Sequence, residues 1–457
     1  MESKISMNEQ RYNYNKGITN ERKSINILKV LAYIAIFTSS FDMAFNFKIS
    51  GFNFRLTQIS MIILSFFVFS KILGERKLIK PINIGLLLIY VLLNTVFLYN
   101  AIYKKNAIGY ELWLLLNIVT VFVIVNFFTT KEYMYSLFKM YIYSFVFVAV
   151  LGMIQYVLFK FLHINFYMSN ALNNYDRIHG FCYEPSYYST YLLPAWCMLA
   201  YMYEKRCTII IGMKKIKIFL MMITLVLILS FSRMGFLMMF VYLLSRLMAN
   251  SAFGVKRTRT SFSIYLNKRS LKITGVVLLI LGGLVCYILY MYYFQFSKLQ
   301  DMVGGLGLFG TAGHSATTRE GSLGETLQIF KNSPIIGCSL GDLDGRVARI
   351  RGLLYRGETG MTMSIFAEQF AATGIVGGFC FVLYIIKMCF GYRKYKKYNL
   401  EYLNFVKGLC LGLIFQTLIL NMNQNVLRSY FWLNIAVLSV AYRGFAYMLS
   451  KEEGQEK

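Results

Sequence analysis

Three stretches of this chain carry side chains suited to chemistry on an anionic, hydroxyl-bearing substrate. The first is "RIHGFCYEPSYYSTYLLP", residues 177 to 194, which places Arg177, His179 and Glu184 just before an apolar helix. The second is "FSRMG", with Ser232 and Arg233 between two apolar runs. The third is a polar stretch holding His314, Arg319 and then "GRVARIRGLLYRGE", which supplies Arg346, Arg349, Arg351 and Arg356. Guanidinium groups bind phosphate oxygens as planar forks. Several of them on one side of a membrane protein make a site for a diphosphate or another anionic headgroup. A carboxylate or imidazole beside them supplies the base that an acceptor hydroxyl needs. Glu184 is the first candidate for that base, with His179 and His314 behind it. Ser232 and the arginines at 346, 349, 351 and 356 are candidates for holding substrate.

Each of these features has a plainer reading. Arg177 and Arg233 sit at span ends, where arginine commonly snorkels to lipid headgroups. Glu184 precedes Pro185, and a carboxylate there complements a helix dipole while proline suits the first helical turn. A lone histidine is more often a satisfied polar residue than a catalyst. The run 346 to 356 also fits a solvated helix face or a contact for anionic lipid. Convergence of the arginines with Glu184 is what would raise them above these readings.

The elements that must position them are membrane helices. Of the 457 residues, 57% are hydrophobic and 15% charged, and mean hydropathy is +0.52. A soluble chain of this length has no interior large enough for that apolar surface. Apolar runs of about 20 residues recur, the length a bilayer asks of a helix, where barrel strands would be half as long and alternating. The fold class is therefore an all-α polytopic integral membrane protein. Twelve spans are read at 27–46, 56–73, 82–100, 108–128, 136–161, 186–203, 216–231, 234–249, 273–294, 362–390, 403–421 and 429–448. This divides the chain into helices one to nine within 1–294, a large outer loop 295–361 containing short helices, and helices ten to twelve with a short tail in 362–457.

The net charge of +27 brings nucleic acid to mind, but the basic residues lie mostly in loops. Loops 71–80, 204–217, 246–272 and 391–398 carry 4, 5, 7 and 4 of them. These are alternate loops, as the positive-inside rule requires. Both termini are then cytoplasmic, and 162–185 and 295–361 face outward. No cleavable signal pattern is read at the polar, basic start of the chain. The eight cysteines show no CxxC and no metal-ligand spacing; Cys197, Cys286, Cys380, Cys389 and Cys410 lie in apolar runs as small core residues. In the outer loop, Thr317 or Thr318 is placed to cap a helix over 319–332, ended by Pro334 and Gly337. Leu323, Leu327 and Phe330 then form the stripe expected to pack on the bundle. There is no Walker motif and no Asp-x-Asp for a metal-bound sugar nucleotide. Charged residues do not stud the centres of several spans, as they would in an ion-coupled transporter.

These motifs resemble the O-antigen polymerase/O-antigen ligase superfamily. Residues 177–194 look like its R-x-x-G-x-x-x-E/H-P-S/N signature. "SFSRMGFLMMFVYLL" is similar to its S-R-x-G at the start of a helix. "REGSLGETLQIFKNSPIIGCSLGD" resembles its R-x(n)-F-x-x-x-P-I-x-G-x-G stretch, and "SIFAEQFAATGIVGG" the segment ending in G-I-I-G. The four stand in the family's order and cover most of 177 to 378.

The resemblance implies an enzyme on the outer face of the cytoplasmic membrane. Its donor is a glycan on undecaprenyl diphosphate, and it uses neither metal nor nucleotide nor other cofactor. Carried onto this chain, Arg177 and Arg233 hold the diphosphate, with Arg319 as a third cation. Partners are then the lipid-linked donor and acceptor, membrane lipid, and flippase and chain-length regulator proteins. Ligases of the family carry H-N-x-x-L before the glycine pair; here Met363 and Ser364 occupy that place. "EPS" at 184–186 also leans toward the polymerases. The expectation is a polymerase of O-antigen, capsule or exopolysaccharide repeat units. A ligase shares the same fold, a lipid-linked oligosaccharide flippase would do no chemistry, and an accessory assembly protein is the remaining class. A flippase should line a central cavity with cations rather than gather them at outward ends.

Overall fold

The computed structural model describes residues 27–49, 52–164, 166, 177–249, 253–257, 262–266, 314–354, 364–395, 400–423 and 425–455. The ninth expected span, 273–294, and Cys286 lie outside them. The helices are α1 (Ile27–Phe37), then α2 (Leu56–Glu75), α3 (Ile84–Phe97), α4 (Lys104–Phe127), α5 (Lys131–Leu162), α6 (Pro185–Glu204), α7 (Met213–Leu229) and α8 (Arg233–Ala249). Following the undescribed stretch come α9 (His314–Asn332), α10 (Leu343–Ile350), α11 (Ile365–Phe390), α12 (Leu400–Asn423) and α13 (Ser429–Gln455). The chain is thus mostly helical, and α2, α4, α5, α11 and α12 are long and apolar enough to cross a membrane. Large apolar side chains project outward from the bundle, among them Phe66 at 71% exposure and Leu92 at 61%. Water would not tolerate such a belt, and a bilayer would.

The inner helices follow a different composition. From Tyr187 to Met202 nearly every residue of α6 is buried, including Tyr188, Tyr191, Trp196 and Tyr201. A helix surrounded by protein has no lipid-facing side, so its hydroxyls find partners: Tyr188 bonds Val148 O at 3.0 Å and Tyr191 bonds Ser144 Oγ at 3.2 Å. This is why α6 is less hydropathic than the outer helices although it is more buried. Against its internal Pro194, α12 presents Gly412, where a Cβ would stand 2.8 Å from the Pro194 carbonyl oxygen.

Two corrections to the sequence reading arise here. The first span stops at Phe37 rather than 46, and the chain turns and enters a hairpin, β1 (Asn46–Ile49) with β2 (Phe52–Arg55), in register Asn46 to Arg55. The cause is Asp42, which is drawn into an ion network and cannot remain on a lipid-facing helix. A second hairpin, β3 (Phe253–Arg257) with β4 (Phe262–Leu266), lies within the basic loop 246–272. The other correction concerns α9, which begins at His314, ahead of the expected cap at Thr317 or Thr318, and ends before Pro334 as expected. Its buried stripe is Ser322, Thr326 and Ile329, while Leu323 and Leu327 are exposed. Of the predicted stripe, Phe330 alone packs inward, its ring 5.9 Å from that of Phe370 on α11.

The loops gather at two ends. At one end Asp42 N and Met43 N donate to Phe181 O at 2.9 and 3.0 Å, and Asn106 Nδ2 donates to Gly341 O at 2.7 Å. Ser364 Oγ meets Asn421 Oδ1 there at 2.8 Å. At the other end Arg246 forks onto Glu204 at 2.8 Å, Thr208 N reaches Glu401 Oε1 at 2.7 Å, and Asn126 brackets Ile79 at 2.8 and 3.0 Å. The four lysine- and arginine-rich loops all belong to, or open from, the second end. The charge asymmetry read in the sequence therefore coincides with a geometric one.

Candidate functional site

At the end opposite the basic loops, α6 and α8 both begin and α7 ends. Arg177 binds the turn between α7 and α8: its Nε donates to Ser230 O at 3.1 Å and its Nη2 to Phe231 O at 3.0 Å. These carbonyls close α7, and a helix leaves its last carbonyls without internal donors. Phe231 adopts a left-handed conformation (φ 47°), which reverses the chain so that Arg233 opens α8. Ser232 Oγ accepts Gly235 N at 3.3 Å, the bond of a helix cap. The Ser189 and Ser230 hydroxyls meet at 3.0 Å. A Cβ on Gly235 would lie 3.1 Å from Ser189 Oγ, so any larger residue there would push the Ser189 side chain back by a few tenths of an ångström.

Arg233 and Glu184 both lie within electrostatic range of Arg177. Burial lowers the pKa of Arg177, the neighbouring Arg233 charge lowers it further, and Glu184 partly offsets both. Arginine stays charged regardless. Arg177 thus feels one like charge and one opposite charge, and the three side chains together carry a net positive charge. Glu184 is the residue before α6, in extended conformation (φ −151°, ψ 163°) with Pro185 at the first helical position. Its carboxylate makes no capping bond to the helix and instead accepts the Ser186 hydroxyl. Among the described residues it forms no ion pair.

The remaining motif residues have structural partners. His179 is fully buried; its Nδ1 is 2.7 Å from Cys182 O, and its backbone N donates to Gln155 Oε1 at 2.9 Å. It builds the inside of the turn and faces α5. Gly180 has φ +56°, and a Cβ there would meet the Tyr188 ring at 3.1 Å, so the motif's glycine is a requirement of the turn. In the segment 314–354, Arg346 pairs with Asp342 at 2.6 Å and with Asn100 O at 2.7 Å, while Asp342 Oδ1 accepts Tyr103 N at 2.7 Å. That set binds the segment to the turn between α3 and α4. Arg351 forks onto Glu325 of α9 at 2.7 and 2.6 Å. Arg349 is exposed on α10. His314 and Arg319 belong to α9, which packs against α10 and α11. Their side chains, and all of Arg356, are outside the described residues.

One charged network was not singled out in the sequence. Asp42 Oδ1 takes Arg55 at 2.9 Å and the buried Arg428 at 3.4 Å, and its Oδ2 accepts Tyr183 N at 3.2 Å. The Arg428 guanidinium stacks 4.0 Å from the Tyr187 ring centre. Burial opposes the charge on Arg428, but Asp42, Tyr187 and Tyr430 raise its pKa. This clasp joins α13, the β1–β2 hairpin and the loop that delivers Glu184. The only sequence signal for it was an aspartate inside an expected span. Glu111 and Glu368, also buried, were missed for a similar reason: one acid near a span end reads as interfacial. No family model and no curated protein matches this chain.

Proposed function

We propose that the chain is a twelve-span membrane enzyme that polymerises oligosaccharide repeat units carried on undecaprenyl diphosphate, at the outer face of the cytoplasmic membrane. The observation that carries this reading is the juxtaposition of Arg177, Arg233 and Glu184 where two helices begin. Helix starts and guanidinium groups both favour phosphate. In the proposed reaction Arg177 and Arg233 hold the donor diphosphate and stabilise the charge that builds on it as the glycosidic bond breaks. Glu184 accepts the proton of the acceptor hydroxyl. The bond from the sugar to the diphosphate oxygen is lost, and the bond to the acceptor oxygen forms.

The test is purified protein with a synthetic lipid-diphosphate repeat unit. A ladder of products is expected; a single transfer to a different lipid acceptor would make the protein a ligase. Glu184→Gln should keep donor binding and lose the ladder. Weakened donor binding in that variant would recast Glu184 as a support for Arg177. Sidedness has its own test: a reporter fused after residue 330 should read external and one after 255 cytoplasmic. The opposite result for either would separate the arginine motifs into different compartments and end the shared-site reading. A second reading, a flippase without chemistry, is favoured by the buried acids Glu111 and Glu368 within span helices. It predicts no product under the same conditions.

A further inference from the structure

Glu111 lies seven residues into α4, about 10 Å along it at ~1.5 Å per residue, and is 3% exposed. No lysine, arginine or histidine pairs with it among the described residues. Its Oε1 is 2.7 Å from the Thr95 hydroxyl, which is also 3.0 Å from Val91 O. That hydroxyl has one hydrogen and two acceptors within reach. Shared between the carboxylate and the helix carbonyl, that one hydrogen leaves Glu111 only partly satisfied. The other carboxylate oxygen, Glu111 Oε2, is buried with no hydrogen-bond partner, and so is Oδ1 of the fully buried Asn94, which precedes Thr95 on α3. The Tyr90 phenol interacts with Asn94, lies in electrostatic range of Glu111 and Glu368, and donates to Gln369 Oε1. Glu368 Oε2 in turn accepts Gln369 Nε2 at 3.1 Å and Val426 N at 3.2 Å.

We propose that Glu111, Asn94 and Thr95 form a site for one monovalent positive charge, a proton or an alkali cation. The orphaned atoms are all oxygens, and all act as acceptors when the carboxylate is ionised. A bare carboxylate in such surroundings is strongly disfavoured, and ionisable groups inside a membrane bundle generally mark ion or proton sites. The oxygen donor set is hard and carries one free carboxylate, which suits a single charge better than a divalent ion. The other charged groups on elements around α4 do not neutralise it. Asp342 and Arg346 pair with each other above it, and Arg428 is engaged by Asp42. Lys104 and Lys105 open α4, and Tyr103 precedes it; Tyr110 donates to Asp344. The site is covered by the outer segment: a Cβ on Gly341 would stand 2.7 Å from Cα of Ala107, one turn above Glu111 on the same face.

The site is independent of the proposed glycosyl transfer and is tested without it. Full-length protein in nanodiscs is titrated by infrared spectroscopy, and its thermal unfolding is followed in sodium or choline chloride at equal ionic strength. A protonated Glu111 shows a buried carboxylic-acid band at neutral pH that is missing in Glu111→Gln. A bound alkali ion raises the unfolding temperature in sodium by about 2 °C or more, and Glu111→Gln abolishes that shift. Thr95→Val, which leaves the carboxylate in place, should move the band or weaken the sodium effect, and serves if Glu111→Gln does not fold. Wild-type protein showing neither the acid band nor a sodium-specific shift overturns the proposal.

Discussion

Replacing Arg177 by lysine should lower the rate of the proposed repeat-unit polymerisation by about 10²-fold or more, with the folded protein still recovered from the membrane. Lysine keeps the charge but has no fork. In the structure the fork spans two carbonyls, Ser230 O at 3.1 Å and Phe231 O at 3.0 Å, and so fixes the guanidinium against the start of α8. An ammonium group on a flexible stem reaches one of the two. The lost hydrogen bond costs about 1 kcal/mol of stability, too little to unfold the bundle. On the proposed mechanism the lost geometry also removes a planar partner from the leaving diphosphate, and transition-state contacts of that kind are worth more. The two effects separate by measuring product formation alongside thermal unfolding of the same preparation. Full activity in Arg177→Lys would leave the residue as a clasp for the α7–α8 turn and nothing more.

Gly374→Ala should cost at least about 3 kcal/mol of stability and sharply reduce the yield of folded protein. Gly374 interrupts α11 with φ 65° and ψ −171°, a conformation open to glycine and strained for every other residue. The interruption frees backbone groups, and the segment from Pro334 to Ser339 takes them up. Ile375 N donates to Pro334 O at 2.8 Å, Cys338 N to Ala371 O at 3.2 Å, and Ser339 N to Ala372 O at 2.9 Å. A Cβ on Gly374 would sit 2.2 Å from Ile335 O, and one on Gly337 1.9 Å from Ala372 O. The two glycine motifs at 337 and 374 therefore face one another. They dock the segment from Pro334 to Ser339 on the bundle. Gly324→Ala is the control, since nothing lies within 4 Å of its Cβ position in α9. That variant should be neutral or slightly stabilised. Equal stability of the two variants would remove the docking role from the glycine pair.

Much of the helical frame was legible before any packing was known. The expected spans 56–73, 136–161 and 186–203 correspond to α2 (Leu56–Glu75), α5 (Lys131–Leu162) and α6 (Pro185–Glu204), because apolar length is a local property. Alternation of basic loops is also local, and it falls on the two ends of the bundle. Pro185 at the first turn of α6 and the halt of α9 before Pro334 are local rules as well.

What the residues alone determined was which of the described segments become helices, the end of the first span apart, which loops share an end, and that Arg177, Arg233 and Glu184 lie near helix starts. Tertiary structure decided which polar groups are spent inside the protein. Arg346 and Arg351 looked equivalent to Arg349 in one basic run, yet the first pairs with Asp342 and the second with Glu325. His179 looked like a candidate base and is turned inward onto Cys182 O. Asp42 finds Arg428 across 386 positions of chain, and Glu111 finds Thr95 from the neighbouring helix. A helix period depends on neighbours three and four residues away, so the chain states it openly. The partner of a buried charge depends on which helices pack together. In a medium without water each such charge must find its partner there, and only the assembled bundle decides which one.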